Sequence, residues 1–157
     1  MPARTVAAQT RIMTSTTGTG FAIVVGGISA DMEYLLTIPG TLNNLNDYIA
    51  AERANRYKGA KMKADNGNIV AVAIRRCMRG VRIRKPVSME YLWVEPNRRR
   101  DKDNISSFGR KVIQDALVDA GVLEDDGWDY VAGFSDRFEV DKQHPRIEVT
   151  IVEVGSD

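Results

Sequence analysis

The sequence predicts a single α+β domain, a mixed β-sheet with helices packed on one face, in the order β-α-β-α-β-β. Three observations carry this expectation. The chain has 157 residues, the size of one ordinary domain, with 43% hydrophobic and 27% charged residues. Apolar residues alternate with period two in two separate stretches, the mark of half-buried strands. Between those two stretches they recur with helical spacing.

Taken in order, residues 1–31 are rich in Thr, Ser, Gly and Ala and have no clear period, which predicts a flexible extension ahead of a domain over 32–157. Met32, just before the patterning begins, is the expected natural start. Arg4 and Arg11 precede an apolar patch, but Gly26 and Gly27 break it, so an export signal is not expected. Tyr34–Ile38 reads as a strand stopped by Pro39-Gly40. Asn43–Asn46 reads as a polar cap region, followed by a mostly helical stretch from Asp47 to about Arg79, interrupted near Asp65-Asn66-Gly67.

Val87–Val94 is the next strand, with Val87, Met89, Tyr91 and Trp93 on one face. A helix follows from about Ile105 to Ala120. Asp103 or Asn104 is its N-cap and Gly121 its C′ residue. Its buried stripe is Ile105, Phe108, Val112, Ile113, Ala116 and Ala120. Tyr130–Phe134 and Arg146–Val154 read as the last two strands. Trp93 and Trp128 are expected in the core, Cys77 in packing, and His144 in a turn.

Composition excludes several classes. One cysteine and one histidine make neither an internal disulfide nor a histidine-rich zinc site, and they suit a reducing cytoplasm. No apolar run approaches the length of a membrane span. The net charge of +1 hides an asymmetry. Residues 53–102 hold 15 Lys/Arg against 4 Asp/Glu, and residues 103–157 hold 5 against 13. A basic middle beside a carboxylate-rich end suits a polyanion-binding face next to an acidic element, or two oppositely charged solvated faces that partly pair with each other.

The chemistry-bearing stretch is Arg98-Arg99-Arg100-Asp101-Lys102-Asp103-Asn104. On an extended segment Asp101 and Asp103 point the same way and offer hard oxygen ligands for Mg²⁺, beside three arginines that attract phosphate. A third acidic group is Glu124-Asp125-Asp126. Read alone, these pieces are also what helix capping and a solvated turn would give. Lys111 and Asp115 are spaced for an ion pair along a helix. Asp103 and Asp126 flank a helix of roughly 16 residues, so about 24 Å separates them unless the following loop folds back or a second subunit takes part.

The ordered run of Arg100-Asp101-Lys102-Asp103-Asn104, Lys111-x-x-x-Asp115-Ala116-Leu117 and Ala120-Gly121-Val122-Leu123-Glu124-Asp125-Asp126 resembles the RusA family of Holliday junction resolvases, its phage-borne branch above all. Leu36-Thr37-Ile38-Pro39-Gly40 with its Asn-rich turn is similar to that family's opening. The resemblance covers about Met32 to Val154. It implies a homodimeric, Mg²⁺-dependent endodeoxyribonuclease that cuts four-way DNA junctions in paired, symmetrical fashion, in recombination and repair.

It also implies catalytic roles for Asp101, Asp103, Lys111 and Asp126, the three aspartates holding one or two Mg²⁺ ions, with Asp125 the alternative to Asp126. The spacing from Asp103 to Lys111 is about a helical turn longer than in the family's founding member, which leaves Lys111 and Arg110 both open for the basic role. Arg53, Arg56, Lys58, Lys61 and Lys63, with Arg98, Arg99, Arg100 and Arg110, are the expected DNA-binding residues. Two other readings fit the same residues: a non-catalytic nucleic-acid-binding module, and another Mg²⁺-dependent phosphohydrolase.

Overall fold

A computed structural model of the chain describes residues 10–13, 20–25 and 28–155. The expected extension over 1–31 lies partly outside them. Where that region is described its backbone forms strands β1 (Thr10–Met13) and β2 (Gly20–Val25) and the start of β3 (Ile28–Pro39). Helices α1 (Leu45–Ala54) and α2 (Arg56–Cys77) follow, then β4 (Val87–Glu95), α3 (Lys102–Asp119), β5 (Val131–Val140) and β6 (Arg146–Glu153).

The strands form one mixed sheet in the order β1-β2-β3-β6-β4-β5. Among the described strands, β4 and β5 pair in parallel and the other neighbours antiparallel. Parallel neighbours need a crossover connection, and α3 supplies it. From β3 onward the chain follows the predicted order, except that one expected helix is two.

Alternation places Tyr34, Leu36 and Ile38 of β3, Ile147, Val149 and Ile151 of β6, and Val87, Met89, Tyr91 and Trp93 of β4 in one buried cluster. Val70, Ala73 and Ile74 of α2 and Ile105, Phe108, Val112, Ile113, Ala116 and Leu117 of α3 join it. The helices therefore cover one face of the sheet, as the sequence predicts. Gly109 lets α3 lie flat on that face. A Cβ there would stand 2.6 Å from two ring carbons of Trp93.

Several local expectations need correction. The helix break falls at Asn55, not at Asp65-Asn66-Gly67. Asn55 ends α1, and its side chain accepts from the Tyr57 amide 2.7 Å away to start α2. Asn66 stays helical because it is buried (2% exposed) and fully satisfied. Its amide group donates to the Met62 carbonyl and the Asn43 side chain, and its oxygen accepts from the Asn43 amide. That bond anchors the turn before α1, where Asn44 and Asp47 form a capping box.

Helix α3 begins at Lys102, so Asp101 rather than Asp103 or Asn104 occupies the N-cap. Ala120 is exposed at the C-cap, and Leu117 takes the buried place expected of it. Strand β5 runs on to Val140 because it pairs along the whole of β4. Trp128 is 98% exposed, against the expected core position. Trp93, at 1% exposure, is in the core as expected, and its indole N–H donates to Asp136 at 2.9 Å.

Candidate functional site

The site residues are set by the two ends of α3. At the N-terminus Asp101 is the capping residue, and its side chain makes no capping hydrogen bond. Asp103 lies in the first helical turn, where a carboxylate is favoured by the helix dipole. The pair is therefore not arranged by the alternation of an extended segment. Both residues are exposed. Asp101 lines a hollow of about 580 Å³ with Glu95, Asn97, Arg98 and Phe138.

At the C-terminus the chain turns sharply. Gly121 has φ +75°, a conformation costly for any residue with a Cβ. Its N–H donates to the Val118 carbonyl and the Val122 N–H to the Leu117 carbonyl, the bond pattern of a Schellman motif. The Arg82 guanidinium donates to the Ala120 carbonyl at 2.9 Å, and the Ile83 N–H to the Val122 carbonyl at 2.8 Å. Buried Val122 and Leu123 then pull the following loop back along the helix.

Asp126 consequently meets Lys111, with Nζ to Oδ2 at 3.3 Å. Lys111 also pairs with Asp115 at 2.9 Å, the expected contact one helical turn on. Asp115 in turn receives Lys63 of α2 at 3.5 Å. The hydrogen bond to Asp115, followed by that to Asp126, raises the Lys111 pKa above its ordinary value and keeps the ammonium charged. Asp126 and Asp115 line a groove of about 900 Å³ between α2 and α3, with Ala60, Ala64 and Ala71 also on its lining.

The loop folds back to mid-helix only. Asp103 stands eight residues before Lys111, about 12 Å along a helical axis. Asp101 and Asp126 line different hollows. Among the described residues no group of three or more His, Cys, Asp or Glu is placed to hold a metal ion. The carboxylates of one chain thus do not fit a three-aspartate Mg²⁺ site by themselves.

The basic residues divide into two kinds. Arg53, Arg56, Lys58, Lys61 and Lys63 are exposed on α1 and α2, with Lys61 paired to Asp65 at 2.6 Å. Arg98 and Arg99 are exposed in the turn after β4. Arg100 and Arg110 are half-buried and occupied. Arg110 forms an ion pair with Asp136 and lies over the Phe134 ring, 4.6 Å from its centroid. Arg100 holds Glu95 through both carboxylate oxygens. So of the two candidates for the basic role, Lys111 is the one beside Asp126. Sequence reading missed Glu95 and Asp136: Glu95 meets Arg100 five positions on through the turn after β4, and Asp136 meets Arg110 only across the fold.

With this geometry in view, the comparison with known families is decisive. The family model for endodeoxyribonuclease RusA matches residues 29–152. The chain belongs to the RusA family. Its resemblance in sequence and the match of most of the chain agree. RusA membership places this protein in a family of endodeoxyribonucleases. No protein in the curated set matches it. Among solved structures, PurLQS from Thermotoga maritima aligns with 89% of this chain and 20% of its own, at 11% identity and a TM-score of 0.37, a likeness too slight to carry argument. Among the described residues no helix of this RusA chain is long and apolar enough to cross a membrane.

Proposed function

We propose that this RusA chain is a Mg²⁺-dependent endonuclease that works as a homodimer and resolves four-way DNA junctions by paired cuts in recombination and repair. One observation carries the dimer: Asp101 and Asp103 lie at one end of α3 while Asp126 is held by Lys111 away from them. In this reading each centre takes Asp101 and Asp103 from one copy and Asp126 from the other. Mg²⁺, a hard ion that prefers oxygen ligands, is the cofactor such carboxylates suit, and when bound it supplies phosphate polarisation. A two-fold dimer also matches the two opposed strands of a junction.

The chain's own groups do the rest. Arg98 and Arg99 meet the DNA backbone beside the cutting site, and the exposed cations of α1 and α2 extend the contact. Lys111 stays protonated and offsets negative charge on the phosphate being attacked. A cytoplasmic location goes with this activity.

The test is cleavage of a synthetic four-way junction and a matched linear duplex, in Mg²⁺ and in EDTA, by wild type and Asp103→Asn. Paired cuts confined to the junction, dependent on metal and lost in the variant, are the expected result. Junction binding with no cutting would instead support a non-catalytic binding module.

A further inference from the structure

We infer that Arg100 is a positioning residue of the cutting reaction and not a phosphate contact: its guanidinium, locked on Glu95 and on the Leu42 carbonyl, holds the turn that presents Asp101 and Asp103. The inference rests on the nuclease reading above.

The guanidinium is engaged on all three nitrogens. Nε donates to Glu95 Oε1 at 2.7 Å and Nη2 to Oε2 at 2.9 Å, the fork-to-fork geometry that arginine alone can make. Nη1 donates to the Leu42 carbonyl at 2.7 Å. Glu95 is 7% exposed and Leu42 is 4% exposed, so both anchor points are fixed in packed surroundings. The Glu95 carbonyl also accepts from the Asp141 amide at 2.9 Å, just past the end of β5.

One side chain thereby ties the end of β4, the connection from β3 to α1 and the start of α3. The next residue is Asp101, whose carboxylate is spared any capping bond. Swinging Arg100 out to a phosphate would strand the buried Glu95 charge, which is strongly unfavourable. Arg98 and Arg99 carry no such load. Both are exposed, and the Arg99 backbone N–H is set by the Asn97 side chain at 3.0 Å. The three consecutive arginines therefore have two jobs: the first two face outward to DNA, and the third orders the site.

The experiment compares wild type with Arg100→Lys, Arg100→Gln and Glu95→Gln. Junction affinity is measured in EDTA across a salt series, kcat and KM are measured in Mg²⁺, and hydrogen exchange of amides 101–104 is followed. All three variants are expected to lose on the order of 100-fold in kcat, as misplaced catalytic groups do. Affinity in EDTA and its salt slope stay at the wild-type value. Exchange at 101–104 quickens while the middle of α3 stays protected.

The opposite pattern overturns the inference. In it Arg100→Gln weakens EDTA binding and flattens the salt slope by about one ion, Arg100→Lys retains both, and Glu95→Gln cuts normally. Should Arg100→Gln fail to fold, Glu95→Gln, nearly isosteric, decides on the same readouts. A wild type that cuts no faster than its variants also sinks it, whereas a wild type that binds junctions and never cuts removes the nuclease reading and this inference together.

Discussion

Lys111 Nζ lies 3.3 Å from the Asp126 carboxylate, across fifteen positions of sequence and a reversal of the chain at Gly121. With Asp115 on its other side at 2.9 Å, the ammonium is held between two carboxylates near the middle of α3. This contact separates Asp126 from Asp101 and Asp103 within one chain.

The first consequence concerns pH. The Lys111 pKa is raised by its bonds to Asp115 and Asp126, so the charged form is favoured by folding. The contribution of these pairs is fully present below the ordinary lysine pKa of about 10.4 and is lost only as pH rises through the raised value. Cutting by wild type and by Lys111→Arg should thus show the same pH–rate shape from about pH 6 to about pH 9.5. An alkaline fall near neutrality, present in wild type and absent from the arginine variant, would contradict a permanently charged Lys111. Lys111→Gln should lower kcat on the order of 100-fold.

Sharing of carboxylates between copies makes a mixing experiment informative. Asp103→Asn and Asp126→Asn are each expected to bind junctions without cutting. Mixed under conditions that exchange subunits, they should form dimers with one intact centre, built from the unaltered Asp103 of one copy and the unaltered Asp126 of the other. Single-strand nicking should return. If every centre were built within one chain, no mixed dimer would have an intact one, and the mixture would stay inactive.

Salt dependence separates the outward-facing cations from the occupied ones. Lys58 is exposed near the start of α2, whereas Lys61 is 2.6 Å from Asp65. Lys58→Ala should weaken junction binding in EDTA and reduce the slope of log K against log salt by about 1. Lys61→Ala should do less, since its charge is already partly offset. Equal effects of the two would mean that the pair with Asp65 opens on binding.

Stability should be sensitive at Gly109. Its added Cβ would meet the Trp93 ring at 2.6 Å, and Trp93 is buried with its N–H committed to Asp136. Neither the ring nor the helix can give way cheaply. Gly109→Ala should therefore lower unfolding free energy by about 1–3 kcal/mol in a urea titration, despite the better helix propensity of alanine. A variant as stable as wild type would show that α3 can lift from the sheet without loss.

By itself the sequence determined the α+β class, the strand at Tyr34–Ile38, the strand face at Val87–Trp93, the end of α3 at Gly121 and the family, because each is written in short-range periodicity, in turn residues or in a motif of fixed spacing. The Lys111–Asp115 pair was legible for the same reason, being one helical turn long. Other features needed the tertiary structure. Asn66 looked like a helix breaker until its partner Asn43 was brought to it. Arg100 and Arg110 looked identical in kind to Arg98 and Arg99 until folding delivered Glu95 and Asp136. Trp128 looked like core, but its turn leaves it in the open. The two ends of α3 hold the candidate carboxylates apart because helix rise is rigid and the returning loop is pinned by Leu123 and Lys111, a distance that no local pattern encodes.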